Sequence, residues 1–321
     1  MEQDARIYVA GTHTPIGAAL LRVLVAQRYV NIVGAKEREP DLTDAVQVES
    51  FFERTRPEYV FLAGGESGGI RANQKYPARL MRDNLLVECN VIHSAYLHGV
   101  QKLLYLASSC CYPRDCPKPM RVDSLMTGRL EPTSEAYALA KIAGIGLCRA
   151  YYQQHGVRFI SGIPADVFGP GDDFSPEDSH VVPGLIRKMH EAKSLHLESV
   201  EIWGTGRARR ELIFADDLAD ACIFVMHAYD NPKPVNLGGG SDLSIREISA
   251  LIKDVVGYAG ALRFNPSKPD GVLVKVLDSR KLLELGWRPK TQLRDAVQTT
   301  YEGFLVREER SMTAHASQVT S

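Results

Sequence analysis

Apolar and polar residues follow two periods along this chain: short runs rich in β-branched and aromatic residues, then stretches with apolar positions at helical spacing. The first run, Arg6–Ala10, passes through Gly11, Thr12, His13, Thr14, Pro15, Ile16 and Gly17 into a helical stretch at Ala18–Val25. The alternation continues. It predicts strands at Asn31–Gly34, Tyr59–Ala63, Lys102–Ala107 and Arg158–Pro164, separated by helices at Val46–Arg54, Asn84–His98 and Ser134–His155. Strands joined through single helices need crossover connections, so the pattern predicts an α/β fold with a doubly wound parallel sheet.

Beyond Pro164 the pattern loosens. A helix is expected at Val182–Ala192 and a strand around Glu201–Trp203. Arg210–Phe214 and Asp216–Tyr229 read as a strand and helix returning to the first domain, and Pro234–Leu237 as a further strand. Helices at Ile245–Val256, Ser279–Leu285 and Leu293–Val306 around an Ala261–Phe264 strand complete a smaller C-terminal α/β lobe. The expected organisation is a dinucleotide-binding domain at 1–164 with 210–240 returning to it, a substrate lobe at 165–209 and 241–310, and a polar, frayed tail at 311–321.

Charge narrows the function. The 321 residues carry 38 Lys and Arg against 39 Asp and Glu. Nucleic-acid and membrane-surface proteins need a basic excess to meet phosphate, so neither partner is expected. No apolar run reaches the roughly 18 residues of a membrane span, and the first residues do not read as a signal peptide. The six cysteines form no CxxC pair and no disulfide framework, which points to a reduced, cytoplasmic protein without a metal site.

Strand, glycine turn and helix open a dinucleotide-binding βαβ unit, in which glycines allow a tight bend and close backbone approach to a diphosphate. Here Gly11 and Gly17 frame the turn, and Thr14 stands where a middle glycine would be. NAD sites usually carry a carboxylate at the end of the second strand. This strand ends Val33, Gly34, Ala35 and runs into Lys36 and Arg38, cations that suit a 2′-phosphate, so NADP(H) is favoured.

A second pattern carries chemistry. Tyr137 and Lys141 lie four apart on one helix face, with Thr133 or Ser134 as its N-cap. A phenol with a pKa of about 10 is a poor acid at neutrality, and an ammonium held close is expected to lower it. The small residues Ala138, Ala140, Ala143, Gly144 and Gly146 suggest that a backbone or cofactor approaches this helix closely. Ser108 leaves the fourth strand at its carboxyl edge, where doubly wound folds bind ligands, and can share a carbonyl oxygen with Tyr137.

Serine, tyrosine and lysine in this order behind a nucleotide turn resemble the extended short-chain dehydrogenase/reductase superfamily, with its Rossmann sheet. The runs 108–113, 130–133, 137–145, 178–183, 203–206 and 267–271 are similar to the GDP-L-fucose synthase family, over residues 6–306. The resemblance implies NADP(H)-dependent epimerisation of GDP-4-keto-6-deoxy-D-mannose at C3 and C5, then reduction of its C4 ketone. It implies that Ser108 bonds the C4 oxygen, Tyr137 supplies the proton, Lys141 holds the nicotinamide ribose, and Cys110 and His180 serve as base and acid. It further places Pro164, Val167 and His180 at the cofactor, Lys188, Trp203, Arg210 and Asp270 at the GDP-sugar, and a homodimer through helices of the first domain.

This chain departs from the family at His13 and Thr14, which replace Arg and Gly, and at Ala165 and Asp166, which replace two neutral polar residues. Glu66 adds another carboxylate near the expected sugar pocket. A carboxylate at 166 would alter the hydrogen-bond code at the hexose. Colitose-type or heptose-type GDP-keto-sugars, reduction without epimerisation, a simple epimerase or dehydratase, and a non-catalytic dinucleotide-binding regulator are the other readings. Cys110-Cys111 disfavours dehydration, and the retained Tyr–Lys pair disfavours the regulator.

Overall fold

The computed structural model describes residues 1–34, 39–176, 179–268 and 270–319, with residues 311–319 described by backbone alone. The strands are β1 (Ile7–Ala10), β2 (Ile32–Val33), β3 (Tyr59–Leu62), β4 (Lys102–Leu106), β5 (Arg158–Pro164), β6 (Asp166–Phe168), β7 (Ser199–Trp203), β8 (Arg209–Phe214), β9 (Val235–Leu237), β10 (Asp242–Ser244), β11 (Ala261–Asn265) and β12 (Val274–Lys275). The helices are α1 (Pro15–Ala26), α2 (Ala45–Thr55), α3 (Ile70–Lys75), α4 (Pro77–Leu97), α5 (Glu135–His155), α6 (Val181–Ser194), α7 (Ala215–Ala228), α8 (Ile245–Val256), α9 (Arg280–Glu284) and α10 (Leu293–Val319).

Six strands form one wholly parallel sheet in the order β2-β1-β3-β4-β5-β9. Its inner strands β1 and β4 are buried along their whole length, as strands covered on both faces must be. Tyr8, Phe51, Phe52, Phe61 and Phe159 anchor the core around this sheet. The order reverses between β1 and β3, and the crevice beyond their carboxyl ends is where such sheets take a ligand. Proline opens both α1 and α4, where its missing N–H costs nothing.

Strand β8 does not join the central sheet, contrary to the expectation for Arg210–Phe214. It heads a second sheet with β10 and β12 at its sides and β6 paired to it. The chain returns to the first body only with α7, which docks on α1 through Arg22–Asp216 at 2.5 Å and Gln27–Asp220 at 3.0 Å, and with β9. A third, two-stranded parallel sheet joins β7 and β11. Phe168, Ile186, Met189, Ile248 and Phe304 form a second core beneath these strands.

Two other expectations are corrected. The helix expected to start at Asn84 starts at Pro77, and the segment read as a frayed tail continues α10 as far as Val319. Among the described residues no helix is long and apolar enough to cross a membrane.

Candidate active site

The glycine turn closes against the neighbouring loop. A Cβ on Gly11, which has φ +96°, would lie 2.3 Å from the Gly64 Cα, and one on Gly17 would lie 2.0 Å from the Gly11 carbonyl oxygen. Thr14 does its work as a helix N-cap: its hydroxyl donates to Gly11 O at 2.8 Å and accepts from Gly17 N at 3.0 Å. The first turn of α1, Pro15, Ile16 and Gly17, therefore faces the crevice with its positive end. Glu39 enters the same turn. Its carboxylate accepts the N–H groups of Gly11 and Thr12 and the Thr12 hydroxyl, with His13 at 3.4 Å. A carboxylate is thus present at the turn, supplied from beyond the strand end where sequence spacing places it. Lys36 and Arg38 lie outside the described residues.

Ser108 caps a single 3-10 turn, Ser109–Cys111, at the carboxyl edge of β4. Its oxygen accepts the Cys110 N–H at 3.2 Å, which leaves its own proton free to donate. The two vicinal thiols part company here. Cys111 is fully buried, its thiol 3.9 Å from the Ala138 carbonyl and pushed up to about 12 by burial, whereas Cys110 is half-exposed.

From α5, Lys141 places its ammonium 5.9 Å from the centre of the Tyr137 ring and 3.2 Å from Glu88, a carboxylate buried on α4. Glu88 also accepts from the Tyr105 hydroxyl at 2.6 Å. Gly144 is small because Tyr105 is there: a Cβ would fall 2.5 Å from the ring, while nothing crowds Gly146. The small-residue stretch on α5 is thus explained by Tyr105 at Gly144, and at Gly146 nothing explains it.

The Tyr137 phenol is pushed up, not down. Burial dominates, the Cys110 and Cys111 thiols add to it, and a hydrogen bond from Ser108 pulls the other way. The expected lowering by Lys141 does not prevail: burial outweighs it, and the Glu88 charge adds to the rise. A phenol that keeps its proton is the form a proton donor to a ketone requires.

The second lobe brings a charged group to the same edge. Asp166 lies 2.6 Å from Lys275 and 3.7 Å from Arg210, and Lys275 lies 4.0 Å from the Cys110 sulfur. These cations hold the Asp166 carboxyl below its usual range against the cost of burial. Arg210 also donates to the carbonyls of Arg209 and Val272, at 2.8 and 2.7 Å. Asp270 spends both oxygens on Thr205, and Lys188 donates to the Glu201 carbonyl at 2.8 Å. Trp203, exposed, has Arg71 and Lys268 at 5.3 and 5.4 Å from its ring centre. Pro164 ends β5, Val167 lies on β6, and His180 is the exposed N-cap residue of α6. Glu66 pairs with Arg79 at 2.9 Å.

Residues 7–238 match the model of the NAD dependent epimerase/dehydratase family. The chain is 49% identical to GDP-L-fucose synthase 1 of Arabidopsis thaliana over 95% of its own length and 94% of that protein's. The chain belongs to the GDP-L-fucose synthase family. Among solved structures, a GDP-6-OMe-4-keto-L-xylo-heptose reductase from C. jejuni superposes with a TM-score of 0.89 at 34% identity, over 96% of this chain and 99% of that one. A GDP-L-fucose synthetase from Naegleria fowleri bound to NADP gives 0.88 at 27% identity, over 96% of each chain.

As a member of the GDP-L-fucose synthase family the protein is an oxidoreductase that works with a nicotinamide dinucleotide. The residues present fit that group. The Gly11–Gly17 cradle leaves room only for backbone, and two buried oxygens beside Lys141, Asn84 Oδ1 and Glu88 Oε2, have no partner among the described residues. Three residues at this site escaped sequence reasoning: Glu39, Glu88 and Lys275. Only Glu39 left a signal, as a carboxylate beyond the second strand.

Proposed function

We propose that the protein epimerises a GDP-linked 4-keto-6-deoxy sugar at C3, C5 or both, then reduces its C4 ketone, as a GDP-L-fucose synthase does. The observation that carries this reading is the meeting of two proton-transfer sets at one strand end: Ser108 with Tyr137, and Cys110 beside Lys275. A ketone between Ser108 and Tyr137 receives two hydrogen bonds, and the protonated phenol gives its proton to the oxygen as the C4–O bond becomes an alcohol. Lys141 holds the nicotinamide ribose, and Gly11–Gly17 the diphosphate. When bound, the cofactor supplies the hydride. Cys110 removes a proton from a carbon beside the ketone, and His180 returns one from the other face. Arg210, Lys188, Trp203 and Asp270 face the GDP moiety.

NADP(H) is our choice of cofactor, supported by Lys36 and Arg38 in the sequence and by the NADP bound to the Naegleria fowleri protein. The protein works in the cytoplasm as a homodimer, a reading supported by exposed Leu86 and Leu97 on α4 and Leu139 on α5; light scattering tests the assembly. One observation favours a second reading. The likeness to the C. jejuni heptose reductase, at a TM-score of 0.89 and 34% identity, supports a heptose-type GDP-keto-sugar as substrate.

Incubation with GDP-4-keto-6-deoxy-D-mannose and NADPH in deuterated water separates these. NADPH consumption with deuterium at C3 and C5 of the product supports the main reading. Consumption only with a heptose substrate supports the second, and consumption with no GDP-keto-sugar rejects both.

A further inference from the structure

We propose that Lys275 is a positioning residue for proton transfer at Cys110, with Asp166 as the anchor that holds its ammonium beside the sulfur. This rests on the reading of Cys110 as the sugar-face base. Three elements that are distant in sequence converge here. Cys110 follows β4, Asp166 opens β6, and Lys275 ends β12; β6 and β12 both pair with β8, which sets Asp166 beside Leu212 and Lys275 beside Arg210.

The distances define the roles. Asp166 Oδ1 is 2.6 Å from Lys275 Nζ, a full charge-assisted hydrogen bond that fixes the long side chain. The same ammonium reaches the Cys110 sulfur at 4.0 Å. Arg210 engages the other Asp166 oxygen at 3.7 Å, so one carboxylate meets two cations and the cluster keeps a positive charge against the thiol. Lys275 is mostly buried, with its side chain 21% exposed, so this charge is less screened by water than a surface lysine's.

The chemistry gives that charge a task. When the Cys110 thiolate takes a proton from carbon, the C–H bond breaks, the S–H bond forms, and the electron pair moves to the ketone oxygen as an enolate. The ammonium stabilises sulfur while it carries negative charge, before the proton arrives and after it leaves. Lys275 stays protonated throughout and gives up no proton. It acts through Cys110.

The test measures deuterium exchange at C3 and C5 of the GDP-keto-sugar by NMR, together with alkylation of Cys110 by iodoacetamide followed by peptide mass spectrometry. Exposed Cys89 serves as the internal standard. Lys275→Met should slow both exchange and Cys110 alkylation by about tenfold or more, with little change in substrate KM and none at Cys89. Lys275→Arg, which keeps the charge, should restore most of both. Asp166→Asn keeps the shape and releases the anchor, so exchange should fall by about three- to tenfold; this arm stands even where Lys275→Met fails to fold. Cys110→Ser should abolish exchange. Wild-type exchange in Lys275→Met with none in Cys110→Ser overturns this proposal alone. A Lys275→Met defect wholly in KM overturns it too, by assigning the ammonium to substrate binding. Exchange that survives Cys110→Ser overturns the underlying reading of Cys110.

Discussion

Asp172 is 5% exposed, and burial pushes its carboxyl up to about 6 against the opposing charge of His180. An unfolded aspartate titrates at about 3.9. The folded state therefore binds the proton more tightly, and the contribution of this group to stability is greatest at low pH. It falls as pH rises from about 4 to 6 and is level above that. Asp172→Asn keeps the acceptor for the Asp173 N–H and has no charge to desolvate. It should raise stability at pH 8 by up to about 3 kcal/mol relative to its effect at pH 4. Melting curves of both proteins at the two pH values check this; parallel shifts would count against it. Glu39 is the other single charge with a legible effect, since its carboxylate accepts the Thr12 N–H and hydroxyl in the glycine turn proposed to hold the dinucleotide. Glu39→Gln should raise the kcat/KM ratio of NADPH over NADH by about tenfold, and an unchanged ratio would remove Glu39 from cofactor choice. The placement of Ser108 at a strand end and of Tyr137 and Lys141 on one helix is legible in the sequence, because strand ends and helix spacing are local properties. That of Glu88 is not: on α4 it is one polar residue in a helix, and only the fold brings Lys141 to it.

At the scale of the element, α5 is built around a relay: Gly144 admits the Tyr105 ring, Tyr105 holds Glu88, and Glu88 holds Lys141. Gly144→Ala gains about 1 kcal/mol of helix propensity. It also drives a methyl into a ring packed between α5 and β4, which costs about 1–3 kcal/mol. The net expectation is a lower Tm and weaker NADPH binding, measured by calorimetry. A higher Tm with unchanged binding would contradict the relay. Element boundaries were less legible than element types. Pro77 was the start signal for α4, and reading from the apolar stripe alone placed the start a turn or more too late.

Across the whole molecule, the central sheet was legible because fully buried strands read as apolar runs. The second sheet was not. β6, β10 and β12 are three, three and two residues long, too short to show a period, so the sequence shows β8 no partners outside the central sheet. The meeting of Asp166, Arg210 and Lys275 with Cys110 is therefore invisible in the sequence, since it arises only where the second sheet reaches the end of β4. The molecule therefore divides these groups: one body holds Tyr137 and the Gly11–Gly17 turn, and the other brings Asp166, Arg210 and Lys275 to the end of β4.

The central claim is that a protonated Tyr137 hands its proton to the ketone while Cys110 works on the neighbouring carbon. Tyr137→Phe, assayed with the GDP-keto-sugar and NADPH in deuterated water, tests it most directly. NADPH oxidation should fall by at least about a hundredfold, while deuterium still enters the sugar and NADPH binds as tightly as before. Wild-type NADPH oxidation by the phenylalanine variant would contradict the account.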